Sequence, residues 1–327
     1  MNTTGDVVLE VEDLTVSVPG RPPARIVRGV DWTVRSGQTL AVVGESGSGK
    51  SMTALSATGL GPDAASVSGS VRLRGEDLLA MSEGELNRTR GRRIGFVFQD
   101  PMTSLNPLIP VGRQVSEAGE VHLGWSRRQG RERAIELLGL VGITDPQRRV
   151  DDHPHQFSGG MRQRVMIAMA LSCEPELIIA DEPTTALDVT TQAQIVALVD
   201  DLQQRLGTAV LWITHDLGVV AGIADEVVVM YGGQVVEHAG VDALFQSPRH
   251  PYTRGLLDAI PKLGRADETL VAIPGSPPSP KSLPAGCAFY PRCPVKGDPR
   301  CADEIPPLAL LAPDHRARTW CVAQVQR

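Results

Sequence analysis

The stretch that most constrains this chain is Gly44-Glu45-Ser46-Gly47-Ser48-Gly49-Lys50-Ser51, set between the apolar run Leu40-Ala41-Val42-Val43 and a breaker-free segment, Met52 to Ala57. The order predicts a buried strand, a tight loop and a helix. Glycines let the backbone turn several N–H groups inward, and the new helix adds the positive end of its dipole at the same point. Lys50 is then placed to reach β- and γ-phosphates, and the Ser51 hydroxyl to take a position on Mg²⁺. A Gly/Ser-rich surface loop is the plain alternative. The flanking strand and helix are what turn the spacing into a nucleotide-binding prediction.

With 327 residues the chain can build one sizeable core and a smaller unit. The formal charge of −6 argues against a general nucleic-acid binder, which normally carries a basic excess. Met1-Asn2-Thr3-Thr4-Gly5-Asp6 lacks the basic start and apolar core of a secretory leader, and no run approaches the ~18–20 apolar residues of a membrane span. A cytosolic chain is expected, with any membrane role exercised through partners.

Along the sequence, residues 7–18 alternate as a strand and Ile26 to Val34 supplies a second, together an antiparallel β layer ahead of the loop. Folds of this kind often stack adenine on an aromatic in such a layer. Here the first aromatic is Trp32, which leaves the adenine contact unassigned. Val67 to Leu73 alternates again. Arg88 to Arg93 carries four arginines, readable as a nucleic-acid patch or, better in an acidic chain, as a solvated connection. Ile94 to Phe98 reads as a buried strand leading into Gln99. From Met102 to about Gln156 the pattern is helical, clearest over Val111 to Val121 and Arg131 to Leu140, which predicts a helical unit inserted between core strands.

Ser158-Gly159-Gly160 opens a further helix, offering a hydroxyl and close backbone access at its N-terminus; Met166 and Met169 on that helix fit core packing. Leu177-Ile178-Ile179-Ala180 runs into Asp181-Glu182, a buried strand delivering two carboxylates at its C-terminal end, where open α/β sheets place ligands. Asp181 is suited to hold Mg²⁺, and Glu182 to take a proton from an attacking water. Val210 to Ile213 repeats the arrangement and ends near His215, a candidate to polarise the γ-phosphate or position the water. Val227 to Tyr231, Gly232-Gly233 and Gln234 to Glu237 predict a closing hairpin. Twelve of the 25 prolines lie in residues 261–327, so regular structure there must be short, and residues 274–280 read as an extended linker.

Taken together, Gly44 to Ser51, Gln99, Ser158-Gly159-Gly160, Asp181-Glu182, Ala186-Leu187-Asp188 and His215 resemble the nucleotide-binding subunit of ATP-binding cassette (ABC) transporters. A narrower resemblance lies in residues 98–107, His155 to Arg164 and His250-Pro251-Tyr252-Thr253-Arg254-Gly255-Leu256-Leu257. These look like the oligopeptide/dipeptide importer ATPases, in their D-type subunit. The resemblance implies an α/β fold: a P-loop NTPase ABC-type nucleotide-binding domain over residues 1–258, with a mixed-sheet core, an antiparallel β layer and an inserted helical subdomain at about 102–170. A small irregular Cys/Pro-rich domain would follow over 259–327.

The same resemblance implies a head-to-tail pair of ATPase subunits, expected to be two different chains, with two ATP molecules between them. Gly44, Glu45, Ser46, Gly47, Ser48, Gly49, Lys50, Ser51 and Met52 would line one nucleotide. Ser51, Gln99 and Asp181 would hold its Mg²⁺, Glu182 would act as base and His215 as γ-phosphate sensor. Ser158, Gly159 and Gly160 would contact the ATP held by the partner, and Asp188 would link the two sites. Two transmembrane permease subunits and an extracellular or periplasmic substrate-binding protein complete the implied assembly, with this chain on the cytoplasmic face of the membrane and no nucleic acid involved. A soluble cassette acting on ribosomes or DNA, and importers of nickel chelates or glutathione, are the alternatives.

Four of the five cysteines fall in the last 41 residues, as Cys287-x5-Cys293-x7-Cys301-x19-Cys321. Four thiolates suit Zn²⁺ or an iron–sulfur cluster, and the spacing does not choose between them. The resemblance to peptide-importer ATPases favours a [4Fe-4S] cluster over zinc, and admits a tail that senses iron or redox state. Cys173 stands apart beside an apolar run and reads as a plain buried thiol.

Overall fold

The computed structural model of the chain describes residues 5–185, 187–260 and 272–321; Met1 to Thr4 and Ala186 lie outside them. The chain divides into two compact units. The first comprises the residues up to Leu9, Val34–Thr39 and Leu73–Ile213; the second comprises Glu10–Thr33, Leu40–Arg72 and the residues from Thr214 onward.

In the first unit, three parallel strands carry the chemistry: Ile94–Val97, Leu177–Asp181 and Ala209–Thr214. Their register pairs Ala180 with Val97 on one side and with Trp212 on the other. Almost every residue of the central strand is buried, which is why it reads as a continuous apolar run rather than an alternating one. Burying each such Val, Leu or Ile contributes about 1.5–3 kcal/mol.

The expected helical insertion is present between these strands as Pro101–Ser104, Val111–Leu123, Arg127–Leu140, Pro146–Arg149 and Gly159–Ala170. Arg127–Leu140 starts four residues earlier than its apolar pattern suggests. Ser126 caps it, and the Gln129 side chain accepts from the Ser126 N–H in a capping box. Val111, Val115, Ala134, Leu137, Leu138 and Val165 form the insertion's buried interior. Met166 is buried and Met169 partly so, in keeping with the core packing expected of them. Two of the four arginines in the connection are ion-paired: Arg90 meets Glu83 at 2.8 Å, and Arg93 meets Glu176 at 2.6 Å and Glu76 at 3.1 Å. Phosphate contacts would have to compete with those carboxylates.

In the second unit, the strand Thr39–Val43 runs parallel to Glu226–Tyr231, with Val42 opposite Val228. Gly232-Gly233, both at positive φ, turn the chain into the antiparallel partner Gln234–Gly240. The C-terminal residues then add two short strands to this sheet, His315–Ala317 against Gln234–Gly240 and Ala309–Ala312 against His315–Ala317. Most of Ala24–Arg35, Val7–Val18 and Ser66–Leu73 also lies in this unit, hydrogen-bonded in that order in a separate sheet. Trp32 is only 4% exposed there, so its ring is committed to the core and offers no face to an adenine.

One apolar cluster links the phosphate-loop strand to the tail. Val43, Val229, Tyr231, Tyr252, Ala288 and Phe289 are buried together. The rings of Tyr231, Tyr252 and Phe289 pack with centroids 4.6–5.3 Å apart in tilted and edge-on pairs. Phe289 thus anchors the proline-rich segment to the core.

Candidate nucleotide site

The nominated residues divide between the units. Gly44 to Met52 and His215 belong to the second; Gln99, Ser158, Gly159, Gly160, Asp181, Glu182 and Asp188 belong to the first.

In the second unit, the fully buried strand Thr39–Val43 delivers the loop, and the helix Lys50–Ala57 receives it. Two glycines are required. A Cβ on Gly44 would run into the Met230 carbonyl oxygen, and Gly49 starts the helix at φ +100, with a Cβ position 3.0 Å from the Ile26 carbonyl oxygen. The Ser48 N–H donates to the Glu45 carbonyl at 3.2 Å, closing the turn. Lys50 is 5% exposed and folds back along the loop, its Nζ donating to the Gly44 carbonyl at 2.7 Å and the Glu45 carbonyl at 3.1 Å. The Ser48 hydroxyl is buried with no hydrogen-bond partner among the described residues. A buried cation, an unsatisfied hydroxyl and a helix N-terminus in one turn fit an oxyanion-rich ligand. Ser51, in the helix's first turn, has the hydroxyl that suits a hard cation such as Mg²⁺.

In the first unit, Gln99 follows its strand by two residues, and Glu182 follows the adjacent one directly. Gln99 Nε2 donates to Glu182 Oε2 at 3.3 Å, and the Thr185 hydroxyl donates to the same oxygen at 3.0 Å. The Glu182 N–H donates to the Ile213 carbonyl at 2.9 Å. Glu182 adopts φ +46, a left-handed conformation that costs a non-glycine residue about 1 kcal/mol or more and is common where a side chain must be aimed. Asp181 ends the strand half-buried, opposite Ile213. The structure therefore brings Gln99 and Glu182 together as a pair. It also adds Thr185, whose only sequence signal is a Thr-Thr pair just after the acids.

The Ser158 and Asp188 elements also meet in this unit. Ser158 caps the helix Gly159–Ala170, its hydroxyl accepting from the Met161 N–H at 3.4 Å. Asp188 caps Val189–Leu206 and accepts from the Thr191 N–H at 3.0 Å and its hydroxyl at 2.6 Å, which holds the Asp188 carboxyl below the usual range. A Cβ added at Gly160 would lie 2.5 Å from Thr191 Cγ2, so only glycine lets the two helix starts approach this closely. His215 is exposed in the turn after Ala209–Thr214, a turn shaped by Asp216, whose N–H donates to Thr214 Oγ1 and whose carboxylate accepts from the Gly218 N–H.

Tyr252 supports the phosphate loop in a role its motif does not announce. Its hydroxyl accepts the Glu45 N–H at 2.8 Å. The tyrosine is placed by His250, whose Nδ1 accepts the Tyr252 N–H at 3.0 Å at the start of the helix Pro251–Asp258. Burial lowers the His250 pKa to about 4 against the opposing pull of Glu237, so the ring is neutral near pH 7 and its nitrogen is free to accept.

Cys287, Cys293, Cys301 and Cys321 all line one cavity of about 20 Å³, together with His250, Phe289 and Arg318. Burial, then the neighbouring Cys321 and Cys287, push the Cys301 thiol up to about 12, and burial also raises Cys287. The expected cluster finds only partial geometric support: among the described residues no group of three or more His, Cys, Asp or Glu is disposed to hold a metal ion. The thiols converge without forming a ligand shell. Cys173 is half-buried, its thiol raised by that burial, in keeping with an inert role.

Comparison with known proteins gives the family. Residues 27–185 match the ABC transporter family, and residues 236–301 match the oligopeptide/dipeptide transporter C-terminal region. Oligopeptide transport ATP-binding protein AppD of Bacillus subtilis is 50% identical over 294 residues, 89% of this chain and 90% of that one. The chain belongs to the ABC transporter ATP-binding proteins. OppD of Salmonella typhimurium, another such cassette, is 47% identical over 310 residues, 94% of this chain and 92% of its own. A solved cassette dimer, MJ0796 in a post-hydrolysis state bound to ADP and Pi, superposes with a TM-score of 0.64 at 29% identity, covering 71% of this chain and 98% of that one. The C-terminal match takes in the His250–Thr253 stretch and three of the four clustered cysteines of this cassette, stopping at Cys301. Among the described residues no helix is long and apolar enough to cross a membrane.

Proposed function

We propose that this cassette is the ATP-hydrolysing subunit of an importer that takes up oligopeptides, seated peripherally on the cytoplasmic face of the membrane. The observation that carries the reading is the Gln99–Glu182 pair at the ends of adjacent parallel strands: a carboxylate held by an amide and a hydroxyl at a strand terminus. The naming of the relatives as oligopeptide transport ATP-binding proteins supports the solute class.

In this reading Lys50 leaves the Gly44 and Glu45 carbonyls for the β- and γ-phosphates, and the loop N–H groups and the Ser48 hydroxyl take the remaining phosphate oxygens. Ser51, Gln99 and Asp181 would hold Mg²⁺, which when bound would offset the charge that develops on the phosphate oxygens. Glu182 accepts the proton of the attacking water, and His215 senses the γ-phosphate. Ser158 and Gly160 close over the nucleotide of a second ATPase subunit, a different chain, and Asp188 relays between the two sites through Thr191. ATP favours the closed pair and hydrolysis releases it, which is the stroke passed by the helical insertion to two permease subunits. A substrate-binding protein outside the membrane supplies the peptide. The negative net charge and the ion-paired arginines at 90 and 93 favour this over a nucleic-acid role.

The convergence of the four cysteines on one cavity supports a [4Fe-4S] cluster held by Cys287, Cys293, Cys301 and Cys321, with Zn²⁺ the other candidate. When bound, the metal would draw the thiols to thiolates and staple a segment with little core of its own. Anaerobically purified protein is expected to contain iron and acid-labile sulfide in equal amounts; zinc without sulfide would replace the assignment.

Transport itself tests the function. Cells lacking the chain are expected to lose ATP-dependent accumulation of a labelled oligopeptide and to regain it on re-expression. Undiminished uptake in the deleted strain, with the chain recovered on ribosomes, would contradict it.

A further inference from the structure

Arg292 is the last residue of the one-turn helix Tyr290–Arg292, and its side chain is only 6% exposed. Its guanidinium grips the Glu45 carboxylate with both forks, 2.6 Å to Oε2 and 3.0 Å to Oε1. The remaining donors are also used: Nε on the Pro274 carbonyl at 2.8 Å, and the two terminal nitrogens on the Tyr231 hydroxyl at 3.2 Å and the Ile273 carbonyl at 3.3 Å. All five N–H directions of the fork thus meet an acceptor, which fixes the guanidinium plane. The Tyr231 ring lies beneath it, 5.8 Å from the guanidinium carbon.

The residue it grips is the second of the phosphate loop, and every polar group of Glu45 is engaged. Its N–H donates to Tyr252, its carbonyl accepts from Ser48 and Lys50, and its carboxylate takes Arg292. Between Glu45 and Gly49 the loop is exposed at Ser46 and Gly47 and rich in glycine, so it has little rigidity of its own. A buried ion pair is a poor way to gain stability, since an apolar replacement packs as well without the desolvation cost. A bidentate pair does fix direction.

We propose that Arg292, 247 positions downstream, is a positioning residue for the phosphate loop: through the Glu45 carboxylate it holds the loop backbone, and the carbonyl on which Lys50 rests, in the conformation that receives ATP. The proposal rests on reading Gly44 to Ser51 as the ATP phosphate site. It assigns to the C-terminal region a direct part in nucleotide affinity.

The test is a double-mutant cycle on the full chain, titrated with a fluorescent ATP analogue and Mg²⁺, alongside steady-state ATP hydrolysis and thermal melting. Arg292→Met and Glu45→Gln are each expected to weaken nucleotide binding about tenfold and to raise KM by a similar factor, with kcat lowered less than threefold. The double variant is expected to bind no more weakly than the weaker single variant, and Arg292→Lys to fall between wild type and Arg292→Met. Unchanged affinity in Arg292→Met with a lowered melting point would show a mere tether and overturn the proposal, as would additive losses in the double variant. If Arg292→Met does not fold, Glu45→Gln decides: it keeps the size and shape of a side chain that is 28% exposed, and wild-type affinity in it overturns the proposal. Lys50→Ala is the control on the underlying reading. Its binding ATP normally would overturn both; its losing ATP while Arg292→Met keeps it would overturn the clamp alone.

Discussion

Lys50→Ala is expected to lose ATP affinity by at least a hundredfold while the chain still folds. The ammonium is nearly enclosed and points along its own loop, held by two carbonyls 2.7 and 3.1 Å away. When phosphate enters, the ammonium exchanges those two neutral acceptors for anionic phosphate oxygens, and a hydrogen bond to a charged group is worth about 1.5–3 kcal/mol. Losing both comes to about 3 kcal/mol or more, and each 1.4 kcal/mol is a factor of ten. Folding is expected to survive because alanine is the better helix former at that first helical position, and the Glu45 carbonyl keeps its bond from the Ser48 N–H. Isothermal titration with Mg-ATP gives the affinity and melting gives the stability. A loss under threefold in affinity would mean that Lys50 is a structural strut and not a phosphate ligand.

How much of this was legible in the sequence depends on how local each signal is. The strand–glycine–helix pattern at Gly44 to Ser51 is contiguous, and both the loop and the glycine requirement at Gly44 and Gly49 follow from it. The helical insertion declared itself by its 3.6 period, although the start at Arg127 was visible only in the Ser126–Gln129 capping signal. Gln99 and Glu182 could each be nominated from the ends of apolar runs. Their pairing could not, because 83 positions separate them and only the parallel register of their strands closes the gap. Tyr252 and Arg292 lie 207 and 247 positions from Glu45. No periodicity reports such contacts, and Arg292 lies within the proline-rich residues 261–327, where only short regular structure is expected. Trp32 shows the converse: an aromatic in the right layer, but on the buried side of its strand. The four cysteines do converge on one cavity, while among the described residues no group of three or more His, Cys, Asp or Glu is disposed to hold a metal ion.

Those long-range contacts alter what the tail is for. Phe289 joins the aromatic packing under the loop strand, Arg292 grips the loop, and Cys287 and Cys293 bracket the turn that carries both residues. The Cys287 carbonyl accepts the Tyr290 N–H and the Cys293 N–H returns to the Tyr290 carbonyl, so the turn that presents Arg292 to Glu45 also carries two of the thiols that line the cavity.

If Glu182 is the base of an ATP-hydrolysing site, Glu182→Gln should bind ATP and fail to release phosphate. The substitution keeps size and shape, and the replacement amide oxygen can still accept from Gln99 and Thr185, so the site is preserved except for its basicity. General-base catalysis is worth roughly 10²–10⁴ in rate. In a single-turnover experiment with radiolabelled ATP, the variant is expected to bind Mg-ATP within threefold of wild type and to release phosphate at least about a hundredfold more slowly. Phosphate release at the wild-type rate, with ATP bound normally, would contradict the account.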